Sequence, residues 1–221
     1  ELSGEPGKLP GWERMRVAPA ATDSNAAAYW QSALRGGYPE IAVDARRDPY
    51  LWFASYVQTY LERDVRTLRS VSDLTQFQSF LRVLAARSGQ LVNLADIGRD
   101  LGLALNTVKA WISVLEATQQ IIILRPYFAN IGKRLVKTPK IYFTDTGILC
   151  HLTGLRDAAH ASAGPMAGAI VETAVVAEIL KGFVHRGNEP RLWFWRTSTG
   201  DEVDLLIESD HGIIPLEIKA T

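Results

Sequence analysis

The two runs that decide the fold lie near the end of the chain: Glu202-Val203-Asp204-Leu205-Leu206-Ile207 and Ile213-Ile214-Pro215-Leu216-Glu217-Ile218-Lys219. Successive side chains of a β-strand point to opposite faces. The first run therefore places Asp204 on the face opposite its apolar neighbours, and the second places Glu217 and Lys219 together on one face. If the two strands pair across the turn at residues 210–212, we expect these three polar side chains to converge.

A helix before these strands adds a fourth polar residue. Residues 168–182 have helical periodicity, and Glu172 shares a stripe with apolar residues three, four and seven positions later. A carboxylate on the packing side of a helix is costly to bury without a cation or a hydrogen-bond donor. Three strands follow this helix, at 191–197, 202–209 and 213–219. The segment therefore has the order αβββ.

The four polar residues suit metal-assisted hydrolysis of a phosphodiester. Carboxylates bind a hard divalent ion, and oxygen ligands favour Mg²⁺ or Mn²⁺ over zinc. Such an ion polarises a phosphate oxygen and lowers the pKa of a bound water. The pattern predicts Asp204 and Glu217 as metal ligands, with Glu172 completing the site and Lys219 assisting the attacking water. The alternative is a solvated sheet face on which these side chains form cross-strand ion pairs.

The middle of the chain has the order of a winged helix-turn-helix. Residues 93–97 begin a short helix, Gly102 predicts a tight turn, and Asn106 and Thr107 can cap a second helix that runs to about Ala117. Two further segments predict the wing: a strand at 120–128 and a basic hairpin at 132–143. Upstream, the spacing of apolar residues predicts helices at 25–34, 49–66 and 73–87.

The charges are unevenly distributed, although the formal net charge is zero. Residues 99–144 carry seven basic and two acidic side chains, whereas residues 145–221 carry six basic and eleven acidic ones. A local basic excess favours a polyanionic partner such as DNA. Two sets of candidate contacts follow from the winged-helix order: base-reading Asn106, Thr107 and Lys109, and phosphate-contacting Lys133, Arg134, Lys137 and Lys140. The alternative is a wing that docks a protein.

Composition excludes several other classes. The 221 residues are 47% hydrophobic and 22% charged, which is typical of a globular protein. The apolar runs are far shorter than the roughly 20 residues that a membrane span needs, so we expect no membrane association and a cytoplasmic location. The single cysteine, Cys150, excludes an internal disulfide and suits a reducing compartment. The oligomeric state is left open.

Two family resemblances follow from these runs. Asp204 followed by Glu217-Ile218-Lys219, after a helix that carries Glu172, resembles the core of the PD-(D/E)xK nuclease-like superfamily. The wider context over about residues 35–221 resembles the domain of unknown function 4143, on these segments: Tyr60-Leu61-Glu62-Arg63-Asp64-Val65, Leu84-Ala85-Ala86-Arg87-Ser88-Gly89-Gln90, Asn106-Thr107-Val108-Lys109-Ala110-Trp111, Lys133-Arg134-Leu135-Val136-Lys137-Thr138-Pro139-Lys140, Asp145-Thr146-Gly147 and Trp195-Arg196-Thr197. That domain typically follows a bacterial or archaeal AAA-type ATPase module.

The resemblances imply an α+β chain in three parts. Residues 1–34 are expected to form a linker and first helix, residues 35–156 a helical and winged-helix domain, and residues 166–221 an αβββ nuclease-like unit truncated at its C-terminus. No Gly-x-x-x-x-Gly-Lys-Ser/Thr phosphate loop is present, so ATP is expected to bind only to the ATPase module of the parent protein.

The expected function is a nucleic-acid-contacting, regulatory region of that ATPase. The alternatives are a Mg²⁺-dependent nuclease and a protein-docking module.

Overall fold

The computed structural model describes residues 26–60, 73–127, 137–210 and 212–220. The helices in these residues are α1 (Ala26–Arg35), α2 (Pro39–Val43), α3 (Pro49–Tyr60), α4 (Leu74–Ala85), α5 (Leu94–Leu101), α6 (Leu105–Ala117), α7 (Thr146–Leu152), α8 (Ala158–Ala163) and α9 (Ala167–Val184). The strands are β1 (Ile121–Pro126), β2 (Lys140–Phe143), β3 (Leu192–Arg196), β4 (Glu202–Ser209) and β5 (Gly212–Leu216). The fold is therefore α+β. No described helix is both long enough and apolar enough to cross a membrane.

Several helices begin where a short polar side chain accepts a backbone N–H. Asp73 caps α4, Asn93 caps α5 and Asp157 caps α8 through such bonds. Helix α8 forms in an alanine-rich stretch, because alanine has the highest helix propensity and Asp157 supplies the cap. Helix α6 begins at Leu105 after Ala104, without a side-chain cap, so Asn106 and Thr107 lie inside its first turn and do not cap it as predicted.

The strands form one mixed sheet of order β2-β1-β3-β4-β5. Strand β1 pairs with β2 in antiparallel fashion and with β3 in parallel fashion, and the remaining neighbours are antiparallel. The sequence predicted the β1–β2 region as a separate wing, so the parallel pairing of β1 with β3 differs from expectation. It arises because β1 offers a second hydrogen-bonding edge that neither α6 nor β2 satisfies.

Two apolar cores flank the sheet. Helices α1 and α3–α8 surround the larger core, which includes Phe77, Phe80 and Trp111 and reaches the sheet at Ile141 and Phe143. The smaller core lies on the other face, where Val176 and Ile179 of α9 pack against Leu124, Phe194 and Leu205. Strand β2 is buried at all four positions because both cores cover it.

Some predictions fall on residues that the structure does not describe. These are the linker at residues 1–25, the end of the second predicted helix at 61–66, and the candidate phosphate contacts Lys133 and Arg134.

Candidate functional site: a buried lysine among three carboxylates

The centre of the candidate site is a buried lysine on β2. The side chain of Lys140 is 4% exposed, and its Nζ lies 2.9 Å from Oε1 of Glu172 and 2.5 Å from Oε1 of Glu202. Oδ1 of Asp204 lies 3.9 Å from the same nitrogen. The ring of Phe194 lies against the ammonium group, with 5.7 Å between Nζ and the ring centroid. We call Lys140, Glu172, Glu202 and Asp204 the ionic cluster.

Each carboxylate of the ionic cluster accepts a hydrogen bond from a donor other than Lys140. The Tyr142 hydroxyl donates to Oε1 of Glu172 at 2.5 Å. Arg196 Nη1 donates to Oε2 of Glu202 at 2.7 Å. The backbone N–H of Ile218 donates to Oδ2 of Asp204 at 2.8 Å. Every acid is therefore satisfied, which is the condition under which partly buried charges are tolerated.

A turn that contains Gly89 lies against the ionic cluster beside α9. Gly89 has a φ of +76°, and a Cβ at this position would lie 3.1 Å from Oε2 of Glu172. Its backbone N–H donates to the carbonyl oxygen of Ile141 at 2.9 Å, which holds the turn against β2. The preceding Ser88 is fully buried and its hydroxyl lies 3.1 Å from that of Thr173. Glycine is needed here for both its backbone conformation and its close approach to the carboxylate.

An irregularity in β4 turns its acidic residues toward the lysine. Trp193 of β3 is opposite Leu206 and Trp195 is opposite Val203, so β4 holds one more residue than β3 between these two pairs. An extra residue reverses the alternation of side chains along a strand. Glu202 and Asp204 consequently lie on the same side of the sheet as Lys140, whereas strict alternation placed Asp204 on the face opposite Leu205.

The electrostatics keep the two central donors protonated. Burial alone would lower the pKa of Lys140, but its hydrogen bond to Glu202 and the nearby charge of Glu172 raise that pKa above its ordinary value of 10.5. Burial also raises the pKa of Tyr142, and the charge and hydrogen bond of Glu172 raise it further. Lys140 is thus a stable ammonium ion and Tyr142 a stable donor at neutral pH.

The four predicted nuclease residues are placed in two groups. Glu172 and Asp204 belong to the ionic cluster, 16% and 19% exposed. Glu217 and Lys219 lie beyond the end of β5, are 52% and 74% exposed, and approach each other at 3.5 Å. Strand β5 ends at Leu216 because the next N–H in the ladder, that of Ile218, donates to the Asp204 side chain instead of a backbone carbonyl.

The predicted metal ligands do not fit a divalent ion as they are placed. Asp204 already has Lys140 and the Ile218 N–H as partners, and Glu217 pairs with Lys219 in solvent. Within the described ranges, no three or more His, Cys, Asp or Glu side chains are arranged to hold a metal ion. The carboxylates of the ionic cluster share an ammonium ion instead.

The predicted nucleic-acid contacts are partly accessible. Asn106 and Lys109 are exposed in the first turns of α6, and Thr107 is half-buried beside them. Lys137 is exposed just before β2. Lys140 was expected to contact phosphate, but its burial in the ionic cluster leaves it no path to an external ligand.

Sequence reasoning missed three residues of the site: Tyr142, Arg196 and Glu202. Tyr142 lies two positions after Lys140, and Glu202 two positions before Asp204, so period two places each pair on one face of its strand. This periodicity can be read from the sequence. The contact between the two pairs cannot be read from it, because that contact depends on the pairing of β1 with β3.

Family comparisons divide the chain into two matched segments. Residues 26–159 match the family described as "Domain of unknown function (DUF8612)", and residues 167–221 match "Domain of unknown function (DUF4143)". The expected resemblance to domain 4143 is therefore confirmed for the last segment, which is typically the C-terminal domain of AAA-type ATPase-like proteins. Lys140 and Tyr142 fall in the first segment, and the carboxylates of the ionic cluster fall in the second.

Two curated mycobacterial proteins are similar to this chain. "Uncharacterized protein Mb2031c" of Mycobacterium bovis and "Uncharacterized protein Rv2008c" of Mycobacterium tuberculosis are each 33% identical to it over 189 residues. The match covers 85% of this chain and 42% of each relative, so the chain spans less than half the length of the curated relatives that it matches. No solved structure matches the chain.

Proposed function

Because this chain belongs to the DUF8612 family and also carries a DUF4143 segment, we propose that it is a nucleic-acid-contacting, regulatory region of an AAA-type ATPase-like protein. The proposed contact surface consists of the start of α6 and Lys137, which lies just before β2. The single observation that carries the proposal is the exposure of Asn106 and Lys109 on a helix whose opposite side is fully buried.

The α5–α6 pair has the geometry that this role requires. The two helices are joined by a three-residue turn in which Gly102 takes the left-handed conformation, with a φ of +67°. Val108, Trp111, Ile112 and Leu115 bury the inner side of α6 in the larger core. This arrangement supports a helix-turn-helix interpretation, in which the start of the second helix enters the major groove of DNA.

Charge pairing also favours the start of α6. Nearby on α5, Asp96 pairs with Arg99, and Asp100 pairs with Arg87. Lys109 and Lys137 form no ion pair with any other residue that the structure describes, so their charges stay available for phosphate groups. In a winged helix the connection between β1 and β2 would be the wing, and Lys137 lies at its end.

Fluorescence anisotropy with a labelled DNA duplex tests this proposal through the salt dependence of binding. Each phosphate contact contributes about 0.9 to the slope of log K against log salt concentration. We expect Lys109→Gln combined with Lys137→Gln to reduce that slope by about 2, and Asn106→Ala to weaken sequence preference instead.

The matched control is Arg46→Gln combined with Arg186→Gln, which removes the same charge from exposed positions elsewhere. Equal losses in the control and test variants would overturn the proposal, as would a complete absence of binding at low salt.

The second candidate function is cleavage of a phosphodiester by the parent protein. The observation that favours it is that Glu172 and Asp204, two of the four predicted residues, contact the same ammonium group. The test compares the full-length parent with its Asp204→Asn and Lys219→Ala variants on single- and double-stranded DNA in Mg²⁺ or Mn²⁺. Cleavage that both substitutions abolish, with DNA affinity retained, would support catalysis. A parent that never cuts would reject it.

Protein docking is the third candidate. Leu105 opens α6 with 41% of its surface exposed, beside the proposed DNA contacts. A protein partner would bury this leucine, so Leu105→Ser would weaken protein capture and leave DNA affinity unchanged.

A further inference from the structure

A cleft in the helical region has no part in the function proposed above. It lies between α3, α4 and the end of α7 and has a volume of about 440 Å³. That volume is within the range of about 300–1,000 Å³ that is usual for small-molecule sites. Val57, Leu81 and Leu152 give the cleft an apolar wall, and Gln58, Gln78 and Arg82 give it a polar one.

The cleft is positively charged. Among the residues that the structure describes, no Asp or Glu lines it. The guanidinium group of Arg82 forms no ion pair with any described residue. Arg156 lies beside the cleft, where its guanidinium carbon stacks 4.1 Å from the centroid of the Tyr50 ring and its Nη2 donates to the Tyr50 hydroxyl at 2.7 Å. Three or more of its N–H groups are left for another acceptor.

A histidine between the two arginines adds an unsatisfied polar atom. The ring of His151 packs against Tyr50 and Phe53, with centroid distances of 4.9 and 6.2 Å. Its Nδ1 is buried and has no hydrogen-bond partner in the part of the chain that the structure describes. Burial and the charges of Arg82 and Arg156 lower the pKa of His151, so the ring is neutral at pH 7.

We propose that this cleft binds a small phosphorylated molecule, whose phosphate group pairs with Arg82 and Arg156 and whose uncharged body rests on the apolar wall. Arginine suits this task because its planar fork matches the oxygens of a phosphate group. A concave site between three helices admits a terminal phosphate group, whereas the backbone of a DNA duplex requires an open surface.

Isothermal titration calorimetry with three probes tests the proposal: phenyl phosphate, inorganic phosphate and phenol. We expect phenyl phosphate to bind at least tenfold more tightly than inorganic phosphate, and phenol not to bind. Arg82→Gln should weaken phenyl phosphate at least tenfold, because a charge-assisted hydrogen bond contributes a factor of this order. Arg82→Lys should recover part of the loss, and Arg46→Gln, at an exposed position outside the cleft, should have no effect.

The NMR signals of the histidine imidazole rings supply a second readout, which reports where phenyl phosphate binds. Phenyl phosphate should shift the signals of His151 and leave those of exposed His160 in place. The proposal is overturned if His151 does not respond, if Arg82→Gln binds as well as the parent chain, or if inorganic phosphate and sulfate bind as tightly as phenyl phosphate. It is also overturned if a DNA duplex displaces phenyl phosphate, which would assign both arginines to nucleic acid.

Discussion

Replacement of Lys140 by methionine should be among the most damaging single changes to the stability of this chain. Methionine keeps much of the side-chain length but removes the ammonium group that Glu172, Glu202 and Asp204 share. Removal of one partner from a buried ion pair costs about 3–5 kcal/mol, because the other charge remains buried. Arg196 still pairs with Glu202, and the three acids are 16–23% exposed. We therefore expect a loss near the lower limit, about 3 kcal/mol at pH 7.

The pH dependence of this loss distinguishes an electrostatic cause from a packing defect. In the Lys140→Met variant the acids repel one another without a shared cation, so the variant regains stability as the pH falls and protonation relieves this repulsion. In the parent chain the raised pKa of Lys140 contributes stability that is present below the ordinary value of 10.5. That contribution is lost as the pH rises above 10.5 and through the higher pKa of the folded state.

Urea unfolding followed by tryptophan fluorescence, repeated between pH 5 and pH 8, measures both effects. Lys219→Met is the matched control, because Lys219 also pairs with a carboxylate but is 74% exposed, and an exposed pair contributes about 0–1 kcal/mol. Adding Glu172→Gln to Lys140→Met should restore part of the lost stability. A loss below about 1 kcal/mol that is the same at both pH values would refute the ionic cluster as described.

Three further predictions concern backbone close approach, helix capping and thiol chemistry. Gly36→Ala should lower the free energy of unfolding by about 1–3 kcal/mol more than Gly102→Ala does. Both glycines have a positive φ, but of these two only Gly36 would place a Cβ against another group, the Oδ1 atom of Asp145. Asp145→Ala should lower the free energy of unfolding by about 2–4 kcal/mol, and Asp157→Ala at an exposed cap by about 1 kcal/mol. The difference arises because buried Asp145 also accepts the backbone N–H of Gly37, between α1 and α2. Thermal or urea unfolding checks both pairs of variants. Burial raises the pKa of Cys150 to about 12, so iodoacetamide at pH 8 should label it only in urea, as mass spectrometry would show; rapid labelling of the native chain would contradict its burial.

Local patterns predicted most of the individual elements. The stripe of apolar residues in α4 and the αβββ order of the last segment appear in the structure because each depends on neighbouring residues alone. Helix α2 was missed, since five residues that begin with a proline are too few to show helical periodicity. The β1–β3 pairing was missed for a different reason. It joins Arg125 to Trp193 across a long stretch of chain, and nothing in either strand specifies its partner.

In the candidate site, too, the contacts between distant segments could not be predicted from local patterns. Period two on β4 placed Asp204 on the face opposite Leu205, but one extra residue between Val203 and Leu206 reverses the alternation. Charge counting identified the lysine-rich connection before β2 as basic. It could not separate exposed Lys137 from buried Lys140, because the acids that bury Lys140 come from α9 and β4.

The ionic cluster and the sheet together make the two family segments physically interdependent. Residues 26–159 contribute the cation and the Tyr142 donor, and residues 167–221 contribute all three acids. Without the second segment, Lys140 and the α9-facing side of β1 and β2 would lie open to solvent. Without the first, three carboxylates would face one another with only Arg196 nearby. Lys137 lies just before β2, so a shift of Lys137 caused by the proposed DNA contact would act on a strand that α9 and β4 hold directly. The cluster is thus a physical link between the proposed DNA-contacting surface and the DUF4143 segment.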